Sequence, residues 1–135
     1  MLMVKTKLGL SKIQGVGLFA DEDISEGTIV YKACEFEGIP LDFLVWSEAE
    51  WAAMEKNLSK GTQRQIKRHA YKYREDGWYI MELDDTKFIN HSDSPNLIVS
   101  EVGDIAVKDI KSGEEILTDY RTFYDPVYFE EIMKL

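Results

Sequence analysis

The hydrophobic pattern of this chain changes period twice, and that change constrains the fold more than any other feature. Near the start, short apolar runs such as GVGLFA and GTIVYKA are separated by glycines, which predicts short strands joined by tight turns. Similar runs return after Gly77 as WYIMEL, KFIN, NLIVSEV, DIAVKDI and EEILTDY. We therefore expect a mainly β fold made of several sheets with short strands.

A helical insert separates the two β regions. In SEAEWAAMEKNL, Ser47 precedes Glu50 by three residues, as in a capping box. Trp51, Met54 and Leu58 follow at the spacing of one helical face. The first predicted helix therefore begins after Ser47 and buries that face.

A second helix is predicted to begin at Thr62, with Gln65 as its partner in another capping box. Its apolar stripe consists of Ile66, Ala70 and Tyr73. We expect the two helices to form an α insert at about residues 47–74.

The end of the chain carries the signals of a third helix. Asp125 is a predicted N-cap, and Pro126 suits the first turn. The apolar positions at helical spacing are Tyr128, Ile132 and Leu135. A length of 135 residues is typical of one domain, so we expect a single domain over residues 1–135 with a C-terminal tail at 121–135.

The charge distribution bears on the partners of the chain. A net charge of −9 disfavours nucleic acid and suits a basic partner. Seven basic residues nevertheless lie from Lys56 to Arg74, where there is no Asp or Glu, so a nucleic-acid contact through residues 62–74 is an alternative to a solvated helix face. The sequence has no run of about 20 apolar residues and no secretory signal. We therefore expect an intracellular protein without a membrane partner.

A run of polar residues directly follows the apolar pair Phe88 and Ile89. Neighbouring strand residues point to alternate faces, so His91, Ser92 and Asp93 do not converge as a hydrolytic triad. The chain has one cysteine and two histidines, and its carboxylates lack ligand spacing, so no metal site is predicted. Taken alone, the run is explained by a hydrogen-bonded turn beside a core strand.

Three motifs occur in order: GVGLFA at residues 15–20, KFINHSDSPN at 87–96 and SGEEILTDY at 112–120. Together they resemble the signatures of the SET-domain protein lysine methyltransferases, over about Lys5 to Tyr124. The resemblance implies a SET-domain, β-clip-like fold with a pseudoknot, in which one strand threads beneath a loop. It also implies S-adenosylmethionine as cofactor and methyl transfer to the ε-amine of a protein lysine.

The same resemblance implies the roles of individual residues. Tyr120 would be the catalytic residue, with a hydroxyl that orients the substrate amine. The glycines would allow close approach of the backbone to the cofactor, and Asn90 and the backbone of His91 would bind its methionyl and adenine ends. The implied cofactor-binding residues are Gly15, Val16, Gly17, Asn90, His91, Tyr120 and Tyr124.

The sequence departs from the family pattern in two places. Thr118 stands two residues before Tyr120, where the family usually has Phe or Tyr setting how many methyl groups are added, so the degree of methylation stays open. No cysteine-rich, zinc-binding segment follows Tyr120. We expect aromatic residues of the tail to close the site instead, with a second copy of the chain as the alternative. The expected lysine-channel residues are Trp78, Tyr79, Thr118 and Phe123, with a place in the hydrophobic core as the alternative for Trp78 and Tyr79.

The expected partner is a protein or peptide that bears a lysine and is basic overall. A non-catalytic peptide-binding module on the same scaffold is the alternative function. The presence of Asn90, His91 and Tyr120 favours the enzyme.

Overall fold

The computed structural model describes residues 1–134, which contain twelve short strands and three α-helices. The strands are β1 (Thr6–Leu10), β2 (Val16–Ala20), β3 (Ile29–Tyr31), β4 (Glu35–Phe36), β5 (Ile39–Pro40), β6 (Phe43–Trp46), β7 (Tyr71–Lys72), β8 (Tyr79–Glu82), β9 (Asn90–His91), β10 (Leu97–Ser100), β11 (Gly103–Ala106) and β12 (Leu117–Thr118). The helices are α1 (Glu48–Asn57), α2 (Lys60–His69) and α3 (Pro126–Met133), and two short 3₁₀-helices are Asp85–Phe88 and Tyr120–Thr122.

The strands of residues 1–134 form five small sheets. β1 and β2 form an antiparallel hairpin, as do β4 and β5. Two three-stranded sheets have the orders β10-β11-β3 and β6-β8-β7, and the fifth pairs β9 with β12. The predicted fold class, mainly β in several short-stranded sheets with a helical insert and a C-terminal helix, is confirmed.

The pairing of β9 with β12 is the topological centre of the fold. These two strands run parallel, with Leu117 opposite Asn90 and Thr118 opposite His91. On its other side, the segment leading into β12 bonds to β2, since the Ile116 amide donates to the Leu18 carbonyl at 2.8 Å. The segment therefore passes between β2 and the loop after β9, as the resemblance to the SET-domain fold implies.

A hydrophobic core lies directly beneath this crossing. Its fully buried members include Leu18 of β2, Leu97 of β10 and Ile116 before β12. The whole cluster is Leu18, Ala20, Ile24, Val30, Ile89, Leu97, Ala106, Ile110 and Ile116. Because this cluster contains residues from each of the three motif regions, the packing fixes their relative positions.

The first helix begins as predicted but ends sooner. Ser47 and Glu50 form both hydrogen bonds of the capping box, and Trp51 and Met54 are buried. Leu58 is the C-cap and is 39% exposed. The prediction that Leu58 continues the buried face is wrong, because the backbone has already left the helix there.

The second helix begins earlier than predicted. Ser59, rather than Thr62, is the N-cap, and its hydroxyl accepts from the Thr62 amide at 3.2 Å. The helix ends at His69, so Tyr73 does not lie on its face as predicted. The buried side chain of α2 is Gln63, whose amide donates to the Glu55 and Leu58 carbonyls at the end of α1. This polar contact joins the two helices.

The motif KFIN is not one continuous strand, contrary to its hydrophobic pattern. Asp85–Phe88 form a 3₁₀-helix capped by Asp84, whose carboxylate accepts from the Thr86 amide at 3.0 Å. Only Asn90 and His91 are extended and paired. The cap explains the difference, since local bonds to an aspartate compete with strand pairing.

The C-terminal helix begins where the sequence predicts. The Asp125 carboxylate accepts from the Tyr128 amide at 3.0 Å, and Pro126 occupies the first turn. Leu135, the last residue of the predicted stripe, lies outside the described residues. None of the helices within residues 1–134 is long and apolar enough to cross a membrane.

Candidate active site

Tyr120 lies two residues after the end of β12, where two hydrogen bonds fix it. Its backbone amide donates to Nδ1 of His91 at 3.1 Å, and its hydroxyl donates to the Ile89 carbonyl at 2.5 Å. Because Nδ1 of His91 accepts a hydrogen bond, a neutral imidazole carries its proton on Nε2. That nitrogen lies 3.4 Å from Oδ1 of Asp93. The motif residues His91 and Tyr120 are thus joined directly.

The Tyr120 ring is the first of three stacked tyrosines. It lies 4.5 Å from the Tyr124 ring at an angle of 8°, and Tyr124 lies 4.9 Å from Tyr71 at 9°. Tyr124 is only 7% exposed. Burial raises the pKa of Tyr120 to about 12 and also raises the pKa of Tyr124 well above its usual range. The Tyr120 hydroxyl therefore stays protonated at neutral pH.

Asn90 connects the second motif to the other two. Its side-chain amide lies 3.2 Å from the carbonyl oxygens of Gln14 and Val16, and 3.0 Å from Oε1 of Glu115. A Cβ at Gly17 would lie 2.2 Å from that Glu115 oxygen, so only glycine fits here without moving the carboxylate. Gly15, Val16 and Gly17 thus lie beside Asn90.

Asn96 is a functional candidate to which sequence reasoning gave no role. It is 6% exposed, and its side chain accepts from the Leu117 amide at 2.8 Å and donates to the Glu115 carbonyl at 2.8 Å. Its backbone amide donates to the Leu117 carbonyl at 3.1 Å. Asn96 therefore holds the strand before Tyr120 in register. The sequence feature that could have identified it is the Pro-Asn pair at the end of the second motif.

A cavity of about 520 Å³ opens beside Tyr120. Three of the four predicted channel residues, Trp78, Thr118 and Phe123, line it together with Tyr120. Thr118 is 4% exposed, and its hydroxyl has no hydrogen-bond partner among residues 1–134. Aromatic residues and a threonine with an unpaired hydroxyl thus line the same cavity.

Tyr79, the fourth predicted channel residue, lies elsewhere. It is absent from the residues that line the cavity and stacks on Trp51 of α1, with ring centroids 4.1 Å apart. Its neighbours Met54 and Ala70 complete a second hydrophobic cluster. Because side chains alternate along β8, Tyr79 points to the helical insert while Ile80 lines the cavity. The structure places Tyr79 in the core.

A smaller cavity of about 330 Å³ lies beside Tyr124, which contributes to the walls of both cavities. Arg121, Phe129 and Arg74 are among its other lining residues. Phe129 also packs edge-on against His91, with centroids 5.3 Å apart. The C-terminal tail therefore covers the histidine of the second motif.

No group of three His, Cys, Asp or Glu residues within positions 1–134 is arranged to hold a metal ion. Arg121 pairs with Asp119 at 2.7 Å and with Asp93 at 3.1 Å. The Arg121 guanidinium group thus links the carboxylates of Asp93 and Asp119, which lie on the two sides of His91.

Comparison with known proteins finds one family and a set of similar folds. The model of the SET domain matches residues 15–121. A Plasmodium falciparum protein assigned as a histone methyltransferase is 19% identical, with a TM-score of 0.55 over 88% of this chain and 95% of that chain. Among curated proteins, none matches significantly.

Further similar structures include those of the Chaetomium thermophilum Polycomb Repressive Complex 2. In its autoinhibited conformation bound to S-adenosylmethionine, the matching chain is 21% identical, with a TM-score of 0.63 over 97% of this chain and 17% of that chain. A humanized mutant bound to the inhibitor GSK126 is 25% identical, with a TM-score of 0.59 over 90% of this chain and 15% of that one. This chain therefore corresponds to a small part of those larger chains.

Proposed function

Because the chain belongs to the SET-domain family, we propose that it is an S-adenosylmethionine-dependent protein lysine methyltransferase. The observation that carries the proposal is the position of Tyr120, which lines the larger cavity while its backbone bonds to His91 of the second motif. The direct test is transfer of a labelled methyl group from S-adenosylmethionine to lysine in peptides or in the proteins of a cell extract.

The polar groups around Asn90 fit the charged methionyl end of the cofactor. Carbonyl oxygens of Gln14 and Val16 and the carboxylate of Glu115 all lie within 3.2 Å of the Asn90 amide nitrogen. Such a set of acceptors suits an ammonium group. Asn90 and the backbone of residues 15–17 would hold this end. When bound, S-adenosylmethionine supplies an electrophilic methyl carbon.

The larger cavity suits the side chain of a lysine. An ordinary lysine has a pKa of about 10.4 and is almost entirely protonated at neutral pH. Aromatic surface from Trp78 and Phe123 lines the cavity and disfavours the charged form, which lowers the lysine pKa. The protonated Tyr120 hydroxyl then orients the neutral amine, and this positioning accounts for much of the rate. If the substrate lysine loses its proton to water before it enters the cavity, the protein needs no general base.

Replacement of Asn90 by alanine is expected to weaken S-adenosylmethionine binding by about 1–3 kcal/mol, because polar groups of the cofactor that become buried on binding lose a hydrogen-bonding partner. Isothermal titration calorimetry measures the effect. Asn57→Ala is the matched control, since the Asn57 amide donates to the exposed carbonyl of Ala53 at 2.7 Å, away from the motifs. Equal affinities of Asn90→Ala and wild type would remove Asn90 from the binding site.

The rate of methyl transfer is expected to rise between about pH 7 and 9, by up to about tenfold per pH unit, as the neutral fraction of substrate lysine increases. The raised pKa of Tyr120, about 12, means that its hydroxyl remains a donor throughout this range. The profile should therefore show no decline from Tyr120 ionisation. Measurements of kcat/KM at constant ionic strength test this, and a flat profile would show that another step limits the rate.

A basic protein is the proposed substrate, since the chain carries a net charge of −9. One of the similar Polycomb structures is a complex with H3K27me3 and H3K27M peptides, which supports a peptide substrate for this chain. The basic stretch of the helical insert is less suited to nucleic acid, because Lys67 pairs with Glu55 and Lys72 with Glu48. Acidic residues of α1 thus neutralise part of that surface.

A non-catalytic peptide-binding module is the second candidate function. It is favoured by the cavity, which could hold a lysine without any chemistry. Binding of lysine peptides without detectable methyl transfer under single-turnover conditions would support the module over the enzyme.

A further inference from the structure

Two aspartates lie on either side of the His91 ring. Oδ1 of Asp93 lies 3.4 Å from Nε2 of the histidine, and Oδ1 of Asp119 lies 3.7 Å from Nδ1. The hydrogen bond from Arg121 lowers the pKa of Asp119, which is therefore ionised at neutral pH. Negative charges so close to an imidazole favour its protonated form. By themselves, the two aspartates would therefore draw a second proton onto His91.

A protonated His91 is incompatible with the contact that holds Tyr120. Nδ1 of His91 accepts a hydrogen bond from the Tyr120 amide at 3.1 Å. An imidazolium carries a proton on both ring nitrogens and accepts no hydrogen bond. Its Nδ1–H would face the amide N–H, donor against donor, and Asp119 would be the acceptor that remains. The observed contact between His91 and Tyr120 thus requires a neutral ring between two carboxylates.

Arg121 supplies a positive charge at the two oxygen atoms concerned. Its Nε donates to Oδ1 of Asp119 at 2.8 Å, and its Nη2 lies 3.1 Å from Oδ1 of Asp93. These are the same two oxygens that face the nitrogens of His91. Nη2 also donates to the second oxygen of Asp119 at 2.7 Å. A guanidinium bound in this way offsets the attraction of both carboxylates for an imidazolium.

The backbone of Arg121 is fixed although its side chain is half exposed. Its amide donates to Oδ1 of Asp119 at 3.0 Å, and its carbonyl accepts from Nη1 of Arg74 at 2.9 Å. The side chains of Arg121 and Asp93 are 53% and 81% exposed, and ion pairs this exposed contribute little to folding stability. The contacts of Arg121 therefore bear on the charge of His91 more than on the free energy of folding.

The remaining neighbours of the His91 ring are aromatic. The rings of Tyr120 and Phe129 both lie 5.3 Å from it, centroid to centroid, and the raised pKa of Tyr120, about 12, keeps that phenol neutral. The charged residues on the segments that pack against His91 are Asp93, Asp119, Arg121, Glu130 and Glu131. Among residues 1–134, the carboxylates within 4.0 Å of the ring nitrogens are those of Asp93 and Asp119.

We propose that Arg121 is a positioning residue for methyl transfer: by binding the two oxygens that face His91, it keeps the imidazole neutral and able to accept from the Tyr120 amide. The proposal rests on the lysine methyltransferase function proposed above. With this contact intact, the Tyr120 hydroxyl keeps its place beside the substrate amine. A catalytic group displaced by about 1 Å can lower a rate by about 100-fold, so the contact matters for turnover.

The pH dependence of Arg121→Gln tests the proposal. Single-turnover methyl transfer is measured at saturating cofactor and peptide, for the variant and the wild type at each pH. The ratio of the two rates cancels the ionisation of the substrate lysine, which is the same for both proteins. This ratio should rise from about one-tenth at about pH 6.5 to within about twofold of unity at about pH 9, because His91 of the variant loses its extra proton. A purely structural role predicts a ratio that does not change with pH.

Nitrogen-15 NMR of the imidazoles reads the charge of His91 without any methyl transfer. The chain has two histidines, and Nδ1 of His69 lies 3.3 Å from the Lys87 carbonyl. Because a carbonyl only accepts, neutral His69 carries its proton on Nδ1, which is the opposite tautomer to His91. At neutral pH, wild-type His91 should give the neutral pattern with the proton on Nε2. Arg121→Gln should shift His91, and not His69, toward the imidazolium pattern.

Two further variants locate the effect. Lys67→Gln is the matched control, since Lys67 forms another exposed ion pair, with Glu55 at 3.1 Å, in the helical insert. It should change neither the rate ratio nor the His91 spectrum. Asp93→Asn added to Arg121→Gln removes one of the released carboxylates, so it should restore at least about half of the turnover lost near pH 6.5. All variants should melt within about 3 °C of the wild type.

The outcomes separate this proposal from the enzyme function. A neutral His91 in Arg121→Gln at every pH, or a rate ratio independent of pH, overturns the positioning role and leaves methyl transfer standing. Failure of Asp93→Asn to restore turnover also overturns it, because the charge balance around His91 would not be the cause. The expected change in the His91 spectrum, with no methyl transfer by the wild type, supports the control of His91 by Arg121 and contradicts the enzyme function.

Discussion

Tyr120→Phe is expected to reduce the rate of methyl transfer by at least about 100-fold, the usual effect of removing one preorganised hydrogen-bonding group from an active site. The substitution keeps the ring and its stacking on Tyr124, whose centroid lies 4.5 Å away. It removes the hydroxyl that bonds to the Ile89 carbonyl at 2.5 Å and that would orient the substrate amine. Single-turnover kinetics with saturating cofactor measure the change in the chemical step.

A matched control separates catalysis from stability. Tyr128→Phe also deletes a part-buried hydroxyl, one that donates to the Ala70 carbonyl at 3.0 Å in the second hydrophobic cluster. Both variants should lose about 1 kcal/mol of folding free energy, but only Tyr120→Phe should lose turnover. Wild-type turnover in Tyr120→Phe would mean that another group orients the amine.

The site was predictable from the sequence only through the ordered motifs. Asn90 and His91 pair with Leu117 and Thr118 in strands of two residues each, which are too short to show any periodicity. Local patterns therefore give no indication that Tyr120 lies next to His91. The family resemblance supplied that contact, and the structure places the two residues together through the hydrogen bond between the Tyr120 amide and Nδ1 of His91.

Several errors in the predicted elements have a common cause in local hydrogen bonding. Ser59 begins α2 and Asp84 begins a 3₁₀-helix, because short polar side chains cap the nearest free amides.

The hairpin of β4 and β5 was missed since its strands have two residues each, and its turn is formed by Glu37 and Gly38 with positive φ. Such features depend on single residues and not on periodicity.

Four residues that line the larger cavity could not be grouped from the sequence for a different reason. Tyr31, Tyr71, Glu82 and Asp104 lie on four separate strands in two sheets. None of these residue types is unusual in a strand or a turn, so no local pattern singles them out. Only the packing of the two sheets around one cavity brings their side chains together.

Truncation after Arg121 is expected to abolish methyl transfer, with a loss of at least about 100-fold, because displaced catalytic groups cost that much. The truncation removes Tyr124, which stacks between Tyr120 and Tyr71, and Phe129, which covers His91. Water would then reach the Tyr120 ring and the lysine, and the desolvation that favours the neutral amine would be lost. Chelators should leave the full-length enzyme active, since the tail and not a metal would close the site.

The three motif segments should remain folded after this truncation, because their shared core contains no residue beyond Ile116. Hydrogen exchange should therefore show preserved protection in β2 and β10, with increased exchange of the Arg74 amide, which donates to the Phe123 carbonyl at 2.9 Å. Tyr124→Ala should reproduce most of the activity loss. Val127→Ala is the control within the same tail, since Val127 is 66% exposed. Methyl transfer by the truncated protein would mean that a second copy of the chain closes the site, and activity would then depend on protein concentration.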